Sequence, residues 1–192
     1  MDDNELGDAL RAAQHGDEAG FATLWRALHP AVLRYLRVVA GDNADDVASE
    51  TWLQVARDLQ RFTGGIGDFR GWLFRIARHR GIDERRRAGR RREEPVAAVD
   101  TGAHAPDPAT EADETAATTW ALTIIATLPT DQAEAVMLRV IAGLDVATTA
   151  KVLGKRPGAV RIATMRGLRR LADHPQVRAR DFPHHTPAAK EV

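Results

Sequence analysis

Phe69–Arg92 reads FRGWLFRIARHRGIDERRRAGRRR. At about 100° per residue, Phe69, Trp72, Leu73, Ile76 and Ala77 fall on one side of a helix, and Arg70, Arg75, Arg78, Arg85 and Arg86 fall on the other. Ten arginines stand against two acidic residues, a local charge of +8. A segment of this kind docks on a core along one stripe and shows guanidinium groups to its surroundings. Two readings fit the charge: a solvated polar face, or a surface for a phosphate backbone. Either way, the stretch is a long amphipathic helix against which neighbouring helices must pack.

Upstream, the same helical period recurs. Leu6–Gln14 reads as a short helix ended by His15-Gly16. From Glu18 to Ala40, Phe21, Leu24, Trp25, Leu28, Val32, Leu33 and Leu36 keep close to helical spacing, with Pro30 expected to kink or break the run. After the turn at Gly41–Asn43 comes a helix over Asp45–Arg61. Its apolar members Ala48, Trp52, Val55, Leu59 and Phe62 step by four, three, four and three. Its other face holds Asp46, Ser49, Glu50, Leu53 and Arg57. Leu53 among charges is either a lone exposed leucine, which is ordinary, or part of an acidic protein-docking face. The glycine-rich loop Phe62–Asp68 precedes the arginine helix, with Asp68 expected as its N-cap. The loop lacks the strand and the Gly-Lys-Ser/Thr of a nucleotide-binding loop. Within the arginine helix, Arg80 and Asp83 fall on the apolar side and are expected to pair with each other.

Downstream, Glu93–Glu114 holds seven acids and no lysine or arginine. With scarcely any large apolar residue, it is expected to be a flexible acidic linker and the domain boundary. A second helical unit follows. Glu114–Thr127 is stopped by Leu128-Pro129. A helix from Thr130 or Asp131 carries the stripe Ala133, Val136, Met137, Val140 and Ile141, and Gly143 ends it. Asp145–Gly154 and Gly158–Ala172 form a last pair, with Pro157 in the first turn of the second. Ala150, Gly154 and Val160 have the spacing of a helix-turn-helix, in which a small residue, a turn glycine and a β-branched residue let two helices meet. Lys151–Leu171 carries seven bases and no acid. This pattern fits a DNA reader or a plain structural hairpin. The tail from 174 is polar, has three prolines and is expected to be frayed.

Composition narrows the function classes. The formal net charge is zero, but two basic blocks flank an acidic one, so strong local fields sit inside a neutral total. The chain has no cysteine, which removes disulfides and thiolate chemistry. No run approaches a membrane span, and a cytoplasmic protein without membrane insertion is the expectation. The seven histidines form no HExxH or complete metal set. The acidic pairs Asp45-Asp46 and Glu93-Glu94 lie where solvated carboxylates are usual. No catalytic residue, metal or cofactor is expected.

The order of these elements resembles the extracytoplasmic-function sigma factors, the group IV branch of the sigma-70 family of bacterial RNA polymerase subunits. Ala44–Leu53, ADDVASETWL, is similar to their core-binding helix. Phe69–Asp83 is similar to their promoter-melting helix. Leu128-Pro129 with the helix-turn-helix over Asp145–Leu171 is similar to their region 4. The resemblance implies an all-α chain: a region 2 domain at 1–93, a linker at 94–113, a region 4 domain at 114–173 and a disordered tail at 174–192. It implies that Asp46, Ser49, Glu50, Leu53 and Arg57 meet the polymerase β′ clamp. Gly64, Gly65 and Asp68, with His79 near the loop, would hold an unstacked base of the −10 strand, and Arg75, Arg78, Arg85 and Arg86 its phosphates. Lys155, Arg156, Arg161, Thr164, Arg166, Arg169 and Arg170 would take the −35 duplex. Core polymerase, through the β′ clamp and β flap, and promoter DNA are the implied partners, and an anti-sigma factor is a further one. Some positions depart from the family pattern. Ser49 stands where glutamine is usual and His79 where asparagine is frequent, and Ile162-Ala163 replaces a usual Ser-Arg pair. The alternative reading is a helix-turn-helix regulator that binds duplex DNA without being a polymerase subunit.

Overall fold

In the computed structural model of the chain, the residues described are 1–93 and 116–180, the side chains of 91–93 excepted. Helix α1, Asp3–Gln14, starts with a capping box: the Asp2 carboxylate accepts from the Asn4 and Glu5 N–H groups, and Glu5 accepts from the Asp2 N–H. Asp17 caps α2, Glu18–Ala40, through the N–H groups of Ala19 and Gly20. The expected break at Pro30 does not occur; α2 runs through it. Leu24, Leu28, Val32 and Leu36 are all buried. At about 1.5–3 kcal/mol for each such side chain, they outweigh the ~3 kcal/mol that a mid-helix proline costs.

Helix α3, Ala44–Asp58, tightens into a 3₁₀ turn at Leu59–Arg61. The expected stripe Ala48, Trp52, Val55 and Leu59 is buried, and Phe62 packs beside it. Helix α4, Ile66–Glu93, begins two residues before its expected cap. Asp68 therefore sits in the first turn, and its carboxylate reaches back to accept from the Gly65 N–H at 3.3 Å. That is the second half of a capping box, with Gly65 at the cap position. Phe69, Leu73, Ile76 and Ala77 of the expected stripe are buried along α4, but Trp72 is only half-buried, and Phe74, off that stripe, is buried against Tyr35 of α2.

The second unit comprises α5, Ala116–Ala126, α6, Thr130–Val136, α7, Val146–Leu153, and α8, Pro157–Ala172. Between α6 and α7, Met137–Ile141 forms a π-helical turn, closed by the Ala142 N–H on the Met137 carbonyl at 2.9 Å. The extra residue in that turn shifts the register of the side chains around the helix. Leu138 goes into the core and Val140 is 54% exposed, which corrects the expected stripe. A fifth helix of this unit, α9 at Pro175–Ala179, forms where a frayed tail is expected. Arg178 pairs with Asp173, and the Arg180 guanidinium stacks 4.2 Å from the Trp120 ring centre. The acidic linker expected at 94–113 and the tail beyond 180 lie outside the described residues.

No strand occurs among the described residues, so the fold is all-α. α2 is the central rod: α1, α3 and α4 pack on it from the first unit, and α5 and α6 from the second. Leu122, Ile125, Leu128, Val136 and Met137 belong to the same apolar cluster as Val32, Leu36 and Phe74. The two helical units share one core, and α7 lies directly against α4. That contact decides what the arginine helix can present.

A candidate nucleic-acid interface on two helices

The ten arginines of α4 do not form a uniform wall. Arg75, Arg85, Arg86, Arg87 and Arg90 are exposed. Arg75 and Arg85 make no ion pair among the described residues. Arg70 is held by Asp3 of α1 at 2.8 Å. Arg80 does not pair with Asp83 as expected. It reaches α3 instead, with Glu50 at 2.6 Å and Gln54 at 3.0 Å. Asp83 lies 3.5 Å from the His79 ring and 4.0 Å from Arg86. The reason is reach: a residue on the side of α4 facing α3 finds a carboxylate across the helix pair at better geometry than one on its own turn.

Arg78 is the principal correction. Its Nε donates to Glu134 Oε1 at 2.8 Å and its Nη2 to Oε2 at 3.3 Å, across the junction with α6. Tyr35 of α2 donates its hydroxyl to the same Oε1 at 3.1 Å. Glu134 and Tyr35 are buried. Burial, and then the Glu134 charge, push the Tyr35 hydroxyl well above its ordinary range, so it stays a donor. A buried carboxylate is tolerable only with its lone pairs occupied. Here one guanidinium and one phenol occupy them. Arg78 is therefore committed to a protein carboxylate, with 26% of its side chain still exposed.

The glycine loop is anchored by aromatics. Phe62 lies 5.6 Å from Phe69 and 5.1 Å from Trp72, centre to centre, and the Gln14 amide donates to the Phe62 carbonyl at 2.7 Å. Gly64, Gly65 and Asp68 are exposed. His79 is not beside this loop: eleven residues of helix, about 16 Å at 1.5 Å per residue, separate it from Asp68. A cleft of about 390 Å³ opens beside the loop instead, between Asp68, Trp72 and Arg75 on one wall and Thr148 and Lys151 of α7 on the other. Gly71 is why α7 comes so near; a Cβ there would stand 2.6 Å from the Thr148 Cγ2. Gly71 and Glu134 escape a reading of the sequence, because both act through a partner more than fifty residues away.

On α3, Asp46, Ser49, Glu50, Leu53 and Arg57 are all exposed on one face, with Leu53 at 62%. The Ser49 hydroxyl donates to the Asp45 carbonyl at 3.0 Å, and Arg57 Nε donates to the Leu53 carbonyl. Glu50 is tied to Arg80, so α3 and α4 fix each other's polar edges.

The helix-turn-helix forms as its spacing requires. Asp145 caps α7, accepting from the Thr148 N–H and hydroxyl at 2.8 Å each. Those bonds, the backbone one first, hold its carboxyl below the usual carboxylate range. Gly154 closes the turn in the left-handed region at φ 63°, where glycine alone is unstrained. Ala150 and Val160 are buried in the core. Lys155, Arg156, Arg161, Arg166, Arg169 and Arg170 are exposed, although Lys155 also lies 3.8 Å from Asp131. Thr164 differs: it is half-buried and gives its hydroxyl to the Val160 carbonyl.

Comparison with known proteins bears on both halves. The family model for Sigma-70 region 2 matches residues 24–91, and that for Sigma-70, region 4 matches 119–171. The ECF RNA polymerase sigma factor SigD of Mycobacterium tuberculosis is 33% identical over 183 residues, which span 90% of this chain and 85% of that one. The ECF RNA polymerase sigma factor ShbA of Streptomyces griseus is 33% identical over 177 residues, 86% and 93% of the two chains. Two solved structures share the fold. CnrH, in complex with the cytosolic domain of CnrY, has a TM-score of 0.62 at 21% identity, over 88% of this chain and 96% of that one. RpoE of Bartonella quintana, in complex with the anti-sigma factor NepR, has a TM-score of 0.62 at 19% identity, over 84% and 98%. With both regions matched in order and relatives aligned along most of their length, the chain that buries α4 on one side and arms it with arginine on the other belongs to the extracytoplasmic-function family of RNA polymerase sigma factors.

Proposed function

We propose a division of labour in which α3 docks on core polymerase, the start of α4 captures one DNA strand at −10, and α7–α8 rests on duplex at −35. The carrying observation is exposed Arg75 of α4 in the wall of an aromatic-lined cleft, with exposed Arg85 and Arg86 about 15 Å further along the helix. Phe62 and Trp72 supply a stacking surface and Arg75 a phosphate partner, which together suit single-stranded DNA. Removing a base from the stack costs a few kcal/mol. The protein's task is therefore to bind the displaced strand, not to perform chemistry, and we assign it no catalytic role. Asp46, Ser49, Glu50, Leu53 and Arg57 make the polymerase-facing surface, toward the β′ clamp. Gly64, Gly65 and Asp68 border the base-holding cleft, and Arg75, Arg85 and Arg86 hold phosphates. Arg78 joins them only when it leaves Glu134. Lys155, Arg156, Arg161, Arg166, Arg169 and Arg170 take the −35 duplex. The region 2 unit is assigned to 1–93 and the region 4 unit to 114–173.

No described helix is long and apolar enough to cross a membrane, and we assign the protein to the cytoplasm, where polymerase and promoter are. An anti-sigma factor is included as a partner because the two structural neighbours were solved with an anti-sigma factor or a cytosolic domain bound. Reconstitution with core polymerase tests the assignment. Run-off transcription from a promoter library is expected only when both proteins are present. Strong sequence-specific duplex binding by the chain alone, with no transcript when core enzyme is added, would favour the free regulator instead.

A further inference from the structure

We propose that Ile162 and Met165, at the exposed crest of α8, read the 5-methyl groups of thymines in the −35 major groove, while the arginines beside them hold the strands; this rests on the −35 assignment above. α8 is fixed by its buried stripe of Val160, Ala163 and Gly167. At about 100° per residue, Gly158, Met165 and Arg169 lie within about 30° of the line opposite that stripe, and Ile162 lies about 45° to one side of it. Arg161 falls on one flank of this crest, and Arg166 and Arg170 on the other. Ile162 is 48% and Met165 63% exposed, although both are large apolar side chains.

A major-groove helix meets base edges with its N-terminal half and its crest, and phosphates with its flanks. Over that half the outward face offers Gly158 and Met165 at its centre, with Ile162 to one side and Arg161 to the other. Neither Ile162 nor Met165 carries a strong donor or acceptor, so neither can reward a guanine or adenine edge. The feature of a major groove that an apolar side chain does reward is the thymine methyl. Arg161 and Arg166, on the flanks, straddle the crest as two strands of a duplex straddle the groove floor. Charge complementarity selects nucleic acid over a protein surface here: residues 157–172 carry four arginines and no acid.

The test uses the full-length protein with core polymerase. An upstream duplex is selected from a randomised library, and each thymine in the selected site is replaced in turn by deoxyuracil, which lacks only the methyl. The unaltered protein is expected to lose about three- to fivefold in affinity at each methyl the crest touches, the worth of one buried methyl. Ile162→Ser or Met165→Ser is expected to bind the thymine and uracil forms alike at the position that side chain faced. Both residues are exposed, so the variants keep the fold, checked by their melting curves. Equal binding of both forms by the unaltered protein overturns the proposal, as does a selected site without thymine. Discrimination that survives both substitutions does the same and points to the crest as a protein-docking surface. Each of these leaves the −35 assignment standing. Failure to select any upstream duplex removes that assignment, and this inference with it.

Discussion

Asp145 shows how much one side chain settles at the residue scale. It caps α7 through two bonds to Thr148, and α7 in turn positions both the cleft and the turn before α8. Asp145→Ala is expected to cost about 1 kcal/mol of stability, read from denaturant melts. Because its carboxyl is held below the ordinary range, its contribution is present above the unfolded value and is lost as pH falls through the folded one. Asp145→Asn should keep most of the cap and flatten that acid limb; an unchanged acid profile would remove the account. Tyr35 has the opposite sign. Its hydroxyl is raised, so its contribution is complete below about pH 10 and declines as the unfolded chain ionises and the folded one does not. Tyr35→Phe should abolish that alkaline decline while losing one hydrogen bond, about 1 kcal/mol.

At the scale of elements, the proposal gives α3 and α4 different tasks on their outward faces. Arg75 has no ion pair among the described residues and borders the cleft, so Arg75→Glu should leave polymerase binding intact and abolish strand opening. Permanganate footprinting of the −10 region measures it, and undiminished reactivity would remove the role given to α4. Reversal of Arg78 is a poor companion mutation, because it would set two carboxylates against each other at Glu134. On α3, Asp46→Arg with Leu53→Ala should lose core binding in a competition assay. Leu53 is 62% exposed, so this pair leaves the core untouched, and retained affinity would mean that another face docks. The Arg80–Glu50 bridge joins the two helices at a partly exposed site, where such a pair adds little to stability; its effect is to fix polar side chains at the edge of the proposed docking face.

For the whole molecule, the contact of α7 with α4 sets a condition on the proposed function. Positions −35 and −10 are about 25 base pairs apart, about 85 Å at 3.4 Å each. A chain of this length folded as one body has a radius of gyration of only about 16 Å. The two units touch in this structure, so they must part before both promoter elements are held at once. The junction is built from Gly71 against Thr148 and from Tyr35 and Arg78 on Glu134. Glu134→Gln keeps the shape and removes the charge. A charge-assisted bond is worth about 1.5–3 kcal/mol, so the opening equilibrium should shift by roughly ten- to a hundredfold. Energy transfer between dyes on α3 and α8 would report this as a longer mean distance. An unchanged distance would mean that the triad does not hold the units together.

The sequence by itself determined the helices, their buried stripes, the outward faces of α3 and α8 and the order of the two units. Those features come from a period of 3.6 residues and from caps and turns only a few residues long. Val140, Pro30 and the start of α4 departed from it where a π turn, a buried stripe of every fourth residue and a reach-back carboxylate outweighed local preference. Only the tertiary structure decided which arginines are available. Asp3, Glu50 and Glu134 each take one of them, and a guanidinium's partner is chosen by proximity in space among residues 30 to 67 positions away. Helical periodicity says which way a side chain points, but not which carboxylate the fold brings to meet it.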